Sequence, residues 1–238
     1  MAAADEACVW SLPTKAESMP PGNRARRGEE AWAGAGERGV RWYADAAETL
    51  DLRANNIGDI GIIWVIKSLA SRPRESRTVH TLVLRCNDID SAGVAWLALA
   101  LTAGVCGGLK TLDLEENRFG PAGAAWLAVG LASGACTGLQ TLNLRGNYIQ
   151  DAGATWMAKA LRSGTWCREL QVLNLIDNHI GDAGAERLAV ALASGACGGL
   201  KKLHLEFNEV TEAGAERLME AVSGGACGVF LSAATNFK

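Results

Sequence analysis

The sequence has little net charge and no long apolar run, and each absence excludes a class of partner or location. Lysine and arginine total 23 against 26 aspartate and glutamate residues, so no strong overall field would attract nucleic acid or an anionic membrane surface. No apolar run approaches the roughly 20 residues that span a bilayer, and the amino terminus, MAAADEACVW, is acidic where a secretory signal would be basic. We therefore expect an intracellular protein, cytoplasmic by default, that has no transmembrane segment and meets a membrane only indirectly, through an assembly.

Signals for bound metals and cofactors are missing as well. The seven cysteines form no CxxC pair, so their spacing supports neither a zinc site nor a redox-active dithiol. The chain also lacks a GxxxxGK[ST] loop for phosphates, and we expect no cofactor. Five of the cysteines recur at nearly constant spacing: Cys106, Cys136, Cys167, Cys197 and Cys227. Because a thiol packs as a small apolar group, we expect these five to form a buried column, which we call the cysteine column.

What the sequence does contain is an internal repeat marked by LxLxxN. The six motifs LDLRAN, LVLRCN, LDLEEN, LNLRGN, LNLIDN and LHLEFN end at asparagines spaced by 32, 30, 30, 31 and 30 residues: Asn55, Asn87, Asn117, Asn147, Asn178 and Asn208. Alternating leucines such as Leu112 and Leu114 have the two-residue period of a short strand with one buried face. An amide side chain can both donate and accept, so we expect the asparagines to form a buried ladder bonded to the backbone of neighbouring repeats.

A helix is predicted after each strand, because apolar positions such as Val94, Leu97 and Leu101 fall at helical spacing. Side chains expected to cap the starts of their own helices are Asp59, Ser91, Asp151 and Asp182. Glycines expected to end the helices in the left-handed conformation are Gly104, Gly134, Gly164, Gly195 and Gly225. Because a helix is wider than a strand, stacked units must curve. The sequence therefore predicts an arc with strands on the concave face and helices on the convex face.

These residues resemble the leucine-rich repeat, specifically its ribonuclease-inhibitor-like class, whose pattern is LxxLxLxxNxIxxxGxxxLxxxL. The pattern is filled in turn by Leu109, Leu112, Leu114, Asn117, Phe119, Gly123, Leu127 and Leu131. The resemblance covers roughly Thr49 to Gly228 and implies an α/β solenoid of about six repeats. Members of this class include inhibitors, ligand-sensing domains of immune receptors, an activator of a small GTPase, and subunits of ciliary and other large assemblies.

The two ends depart from the repeat and suggest the domain organisation. We expect residues 1–48 to form an amino-terminal extended segment followed by a capping helix from about Glu29 to Ala47. Residues 49–238 are then the leucine-rich-repeat domain. Its last stretch, GVFLSAATNFK, begins like a seventh repeat with Phe230 in the register of Leu109 and then stops.

Catalysis and nucleic-acid binding are both disfavoured. Imidazoles come only from His80, His179 and His204, which occupy different registers of different repeats. A catalytic site formed by His179, His204 and Asp177 is the alternative, but solvated surface histidines are commoner, so we expect no enzyme. Basic residues of the predicted strand face are mixed with acidic ones, so a phosphate backbone would be repelled as often as attracted.

The concave face is the first candidate surface for a protein partner. The residue types at the buried positions barely vary between the repeats, whereas those at the exposed strand positions vary widely. A solenoid presents its exposed strand positions as a rigid surface. Apolar and aromatic side chains of the kind that anchor interfaces lie near its carboxyl-terminal end. The candidate residues on this face are Asp51, Arg53, Arg85, Asp113, Glu115, Arg145, Tyr148, Ile176, His204, Glu206 and Phe207. The alternative interpretation is that they are merely solvated.

A second candidate surface is a tryptophan row on the helices. One tryptophan lies nine residues after each of the first four ladder asparagines: Trp64, Trp96, Trp126 and Trp156. Arg187 and Arg217 take this register in the last two repeats. Trp96 projects about 100° around the helix from Leu97, so the indoles can fill grooves between helices or form an exposed apolar strip. We expect a mixture, in which the indoles pack on one side and a partner, for example the amino-terminal segment with Trp10 and Trp32, covers the other.

The sequence therefore predicts a non-catalytic module or scaffold that binds a protein partner through the repeat arc. The alternative is a structural accessory subunit of a large multiprotein assembly, for example a membrane-associated or ciliary one. Such a subunit would contact its neighbours through the amino-terminal segment and the tryptophan row rather than through the concave face.

Overall fold

The structure is a computed structural model that describes residues 48–71, 79–224 and the backbone of 230–232. Short strands alternate with helices along these ranges. The strands are β1 (Thr49–Asp51), β2 (Thr81–Val83), β3 (Thr111–Asp113), β4 (Thr141–Asn143), β5 (Val172–Asn174), β6 (Lys202–His204) and β7 (Phe230–Ser232). The helices are α1 (Gly58–Ala70), α2 (Ser91–Thr102), α3 (Gly120–Ala132), α4 (Gln150–Ser163), α5 (Asp182–Ala193) and α6 (Glu212–Gly224). The predicted capping helix lies outside the described residues.

All seven strands pair in parallel and in sequence order, which is the topology of an α/β solenoid. The central leucine of each strand aligns with that of the next, as Leu82 does with Leu112 and Leu112 with Leu142. These three leucines are buried, while the residues on either side of each are more exposed. The predicted strand with one buried face is confirmed, and successive helices pack side by side behind the sheet.

The asparagine ladder is also confirmed, and it is buried at Asn87, Asn117, Asn147 and Asn178, whereas Asn208 is half-buried and Asn55, at the amino-terminal edge, is exposed. In the interior of the ladder, Oδ1 of Asn117 accepts from the amides of Asn87 at 3.1 Å and Ile89 at 3.0 Å. Its Nδ2 donates to the carbonyl oxygens of Leu84 at 3.1 Å and Leu114 at 2.8 Å. Each amide thus joins its own strand end to that of the preceding repeat, which satisfies backbone groups where the chain leaves the sheet.

The expected helix caps are wrong for α1, α4 and α5, whose N-cap residues make no side-chain capping bond. The expected cap is also wrong for α2, where Asp90 rather than Ser91 caps the helix by accepting from the amide of Ala92 at 2.7 Å. The aspartates of α1, α4 and α5 accept from the amides of the following repeat instead. Oδ1 of Asp151 accepts from Gly181 at 2.7 Å and from Gly184 at 2.9 Å, and Asp59 and Asp182 bond forward to Asp90 and Thr211 in the same way. A carboxylate at the start of one helix lies close enough to reach the unpaired amides of the next, so capping here ties repeats together.

The helix ends agree with expectation, since Gly104, Gly134, Gly164 and Gly195 all have φ between 66° and 79°. Gly225 lies outside the described residues. The register expected for Phe230 is wrong: it aligns with Lys202, and Leu231 aligns with Leu203. Five residues separate α6 from β7 where eight separate α5 from β6, while α6 is one residue longer than α5. The last strand therefore begins two positions earlier in its repeat than β6 does.

The core is a continuous layer of leucines between sheet and helices, and it includes the cysteine column. Cys106, Cys136, Cys167 and Cys197 are buried as predicted, whereas Cys227 lies outside the described residues. The thiol of Cys197 donates to Sγ of Cys167 at 2.8 Å. This hydrogen bond lowers the pKa of Cys167, while burial raises the pKa of Cys136 to about 11.

Candidate protein-binding surfaces

The amino-terminal part of the concave face neutralises its own charges. Glu115, whose side chain is buried, lies 3.3 Å from Arg85 and 3.8 Å from Arg145. Nδ2 of Asn143 donates to the same carboxylate at 3.0 Å. A carboxylate buried between two guanidinium groups and an amide keeps those groups in fixed positions, so neither arginine is an isolated cation that would select phosphate.

The aspartates of this face have opposite pKa shifts. The Arg53 guanidinium donates to Asp51, with Nε 2.9 Å from Oδ2, and this hydrogen bond lowers the pKa of the Asp51 carboxyl. Burial instead raises the pKa of Asp113, which is half-buried in β3. The predicted site residues Asp51, Arg53, Arg85, Asp113, Glu115 and Arg145 therefore form one polar region that follows β1 to β4.

The carboxyl-terminal part of the concave face combines two apolar side chains, Ile176 and Phe207, with a histidine and a glutamate. Ile176, two residues after β5, is half-buried, and Phe207, three residues after β6, is 63% exposed. Phe207 has φ of 57°, in the left-handed region that residues with a Cβ rarely adopt. His204 lies 3.3 Å from Glu206 at the same end, so the four predicted residues of this part are neighbours along β5 and β6.

Tyr148 lies beside the concave face rather than on a strand, in the loop that follows Asn147. Its ring stacks on the ring of His179 at a centroid distance of 5.5 Å. His179 in turn lies 3.0 Å from Oε1 of Glu209. These three side chains form a row along the rim of the concave face, adjacent to the apolar region around Phe207.

The histidines pair with separate carboxylates, since His80 lies 3.6 Å from Glu48 while His179 and His204 contact Glu209 and Glu206. The alternative catalytic site of His179, His204 and Asp177 would need the two rings to share one centre, and each ring is held by a different partner. Within residues 48–71 and 79–224, no three His, Cys, Asp or Glu side chains cluster closely enough to hold a metal ion.

The tryptophan row combines both of its expected environments. Trp64, Trp126 and Trp156 are 42–55% exposed, whereas Trp96 is partly buried and packs against the core. The amines of two lysines lie over the outer indoles: Lys67 is 5.3 Å from the Trp64 ring and Lys159 is 4.3 Å from the Trp156 ring. Each such contact is a cation–π interaction that covers part of an indole with its own helix.

Sequence reasoning missed two residues that widen the row at its centre. Leu99 and Val129, three residues after Trp96 and Trp126, are 52% and 53% exposed, and residues at this spacing share one helix face. A signal was available, because the sequences of α2 and α3 contain no charged residue, and a helix that is apolar all round is ordinarily buried. We call the exposed face of Trp64, Trp96, Leu99, Trp126, Val129 and Trp156 the apolar patch.

The last two helices have a charged surface at the register of the tryptophans. Arg187 and Arg217 are exposed, and Arg217 lies 3.6 Å from Glu186 of the preceding helix. Their neighbours three residues on, Val190 and Glu220, are also exposed. The apolar patch therefore ends at α4.

The comparisons with known proteins agree with this geometry. The model of the family described as leucine-rich repeat matches residues 48–63, 75–98, 109–128, 135–157, 167–189 and 200–219, more than half of the chain. No curated protein matches the sequence. No helix in the described part of the chain is long and apolar enough to cross a membrane. Six matched segments, one for each strand and helix pair, show that this chain belongs to the leucine-rich repeat family.

Proposed function

We propose that this protein is a non-catalytic binding module that holds a protein partner on the carboxyl-terminal part of its concave face. Leucine-rich repeats generally mediate contacts between proteins, and a solenoid offers its strand face as a rigid surface. The amino-terminal part, from Asp51 to Arg145, contributes a polar region whose charges are already oriented by one another. The apolar part, Ile176 and Phe207 with Tyr148 at the rim, provides the anchors.

The observation that carries this proposal is the environment of Phe207. The position before each ladder asparagine has positive φ in every repeat, and the other repeats place alanine, cysteine, glutamate, glycine or aspartate there. A phenylalanine in this conformation costs about 1 kcal/mol of backbone strain, and most of its ring faces solvent. Neither feature stabilises the fold, whereas an exposed aromatic ring on a rigid base is well suited to fill a pocket on a partner.

The experiment compares co-purification from native extract by full-length wild-type protein and two variants. The test variant is Phe207→Asn, which keeps a residue that tolerates positive φ. The matched control is Ala54→Asn at the same register of the first repeat, where φ is also positive. We expect the captured protein to be reduced at least tenfold by Phe207→Asn and unchanged by Ala54→Asn. Equal loss in the two variants would show that an asparagine at this register, and not the absent phenyl ring, weakens binding. Equal capture by both variants would contradict the proposal.

A second candidate function, a structural subunit of a larger assembly, is favoured by the half-exposed indoles of Trp64, Trp126 and Trp156. In that case the tryptophan row and residues 1–48 contact neighbouring subunits. The same capture experiment separates the two functions. Loss of the captured protein with Trp126→Arg and its retention with Phe207→Asn would favour the assembly subunit.

A further inference from the structure

Exposed apolar surface on the convex face is concentrated next to the point where the chain enters the solenoid. The apolar patch begins on α1, directly behind β1, reaches its widest point on α2 and α3, and ends on α4. Contiguous apolar surface of several hundred Å² on a folded protein usually marks a contact site. A protein segment that covers the patch must therefore lie near the amino-terminal end of the arc.

The charges around the patch indicate what the occupant must carry. Lys67 and Lys159 lie on the two outer helices of the patch, each over an indole, and the helices between them contribute no charge. Neighbouring helices pack about 8–10 Å apart, so the two amines are separated by roughly three helix spacings. A complementary occupant has an apolar centre and acidic residues on either side of it.

We propose that the apolar patch is the docking site of this chain's own amino-terminal segment, residues 1–47, through the stretch from Ala7 to Leu12. This stretch, ACVWSL, contains Val9, Trp10 and Leu12; the acidic pair Asp5 and Glu6 precedes it, and Lys15 and then Glu17 follow it. An apolar centre directly preceded by two carboxylates complements the patch and the lysine at one of its ends, and Glu17 is the carboxylate available to the lysine at the other end. The proposal is independent of the concave face.

The length of the segment permits this contact. Thirty-five residues lie between Leu12 and Glu48, and even at a helical rise of 1.5 Å per residue they span about 50 Å. Crossing from α1 to α4 requires about 30 Å at 10 Å per helix. The docking stretch can therefore reach every part of the patch.

A second copy of the chain fits the patch less well. In a twofold symmetric contact the same patch of both copies meets, and the charged side chains on the indoles of this patch are both lysines, so neither copy supplies an acidic partner for them. Four partly exposed indoles with Leu99 and Val129 also expose less than the roughly 800 Å² per partner of a stable complex. The amino-terminal segment brings carboxylates and needs no second chain.

The direct test is zero-length cross-linking with a carbodiimide, which joins an amine to a carboxylate in contact with it. A mixture of unlabelled and ¹⁵N-labelled full-length protein is cross-linked and mapped by mass spectrometry. We expect Lys67 or Lys159 to be joined to Asp5, Glu6 or Glu17, with both peptides carrying the same isotope. Mixed-isotope pairs at these positions would assign the patch to a second copy. Absence of any link between these lysines and residues 1–47 would overturn the proposal.

A matched pair of variants tests the same contact without cross-linking. Val129 lies in the patch and Val190 occupies the same register of α5 outside it, and both are about half exposed. We expect Val129→Asp to accelerate alkylation of Cys8, which adjoins Val9 and Trp10, at least fivefold, and Val190→Asp to leave the rate unchanged. Equal rates in the two variants would count against docking. Phe207→Asn should leave both the rate and the cross-links as in wild type, which separates this proposal from the concave-face function.

Discussion

Helices α1 to α4 and helices α5 and α6 have the same buried side and different exposed sides. Leu127 of α3 and Leu188 of α5 occupy one register and are both fully buried. The register before it holds Trp126 in α3 and Arg187 in α5. Single exposed apolar residues such as Val190 and Met219 occur in the last two helices as well and are ordinary on a protein surface. What distinguishes the first four helices is that each carries an indole at this register, which packing within a repeat does not require.

The largest effects are expected where the two regions are alike. Leu127→Ala and Leu188→Ala each remove a fully buried side chain, and each should lower the free energy of unfolding by about 3 kcal/mol. Urea denaturation followed by circular dichroism measures both. A difference of more than about 1.5 kcal/mol between the two variants would show that the regions do not share one core.

Intermediate effects are expected where the regions differ. Trp96 packs partly against the core and Trp126 is half exposed, so Trp96→Arg should cost about 2 kcal/mol and Trp126→Arg about 1 kcal/mol. The reverse change, Arg187→Trp, should alter stability by less than either. Thermal denaturation of the three variants tests this order, and no loss at Trp96 would show that the indoles contribute only to contacts outside the repeats.

The sequence was sufficient for the parts of the fold that rest on burial within the repeat. Leu112 and Asn117 recur at fixed spacing, and only a strand followed by a satisfied buried amide fits that spacing. Features that depend on a neighbouring repeat were not predictable in the same way. Asp151 can reach amides of its own helix or of the next, and only the spacing between helices decides which it bonds.

The candidate surfaces show the same limit. Glu115 was expected to be an exposed residue of the concave face, and it is buried because Arg85 and Arg145 approach it from both sides. The sequence does not single out Leu99 and Val129, because one apolar residue on a helix surface does not by itself indicate a contact site. It indicates one only when an exposed apolar residue of the next helix lies beside it. Contacts between side chains of neighbouring repeats depend on the distance between those repeats. The sequence pattern gives the spacing of residues along the chain but not that distance.

The cysteine column allows a comparison at the junction of the two regions. Cys167 and Cys197 share a hydrogen bond with sulfurs 2.8 Å apart, while burial raises the pKa of Cys136 to about 11. Because the thiolate attacks a disulfide, oxidised glutathione should join Cys167 to Cys197 at least ten times faster than Cys106 to Cys136. Peptide mapping under non-reducing conditions measures both bonds. Equal yields would mean that the two pairs do not differ in thiolate character.

The smallest effects are expected from Asp59 and Asp182. These two aspartates occupy the same position of the repeat, Asp59 in α1 and Asp182 in α5. Burial, with a contribution from neighbouring Asp90, raises the pKa of Asp59 to about 6, whereas hydrogen bonds from the Thr211 hydroxyl and amide lower the pKa of Asp182. Since the folded pKa of Asp59 lies above the ordinary 3.8, the folded state holds the extra proton between these values. Stability therefore falls as pH rises from about 4 to about 6 and is level above that range.

The variant Asp59→Asn removes this dependence, so it should be more stable than wild type above pH 6 and equal to it near pH 4. Because Asp59 is only about half-buried, the gain should not exceed about 1 kcal/mol. For Asp182 the sign is opposite: its contribution is present above the ordinary pKa and is lost as pH falls through the lowered one. Asp182→Asn should therefore weaken the protein slightly at pH 7. Thermal denaturation of the two variants between pH 4 and pH 8 tests the contrast, which fails if both variants shift stability in the same direction at pH 7.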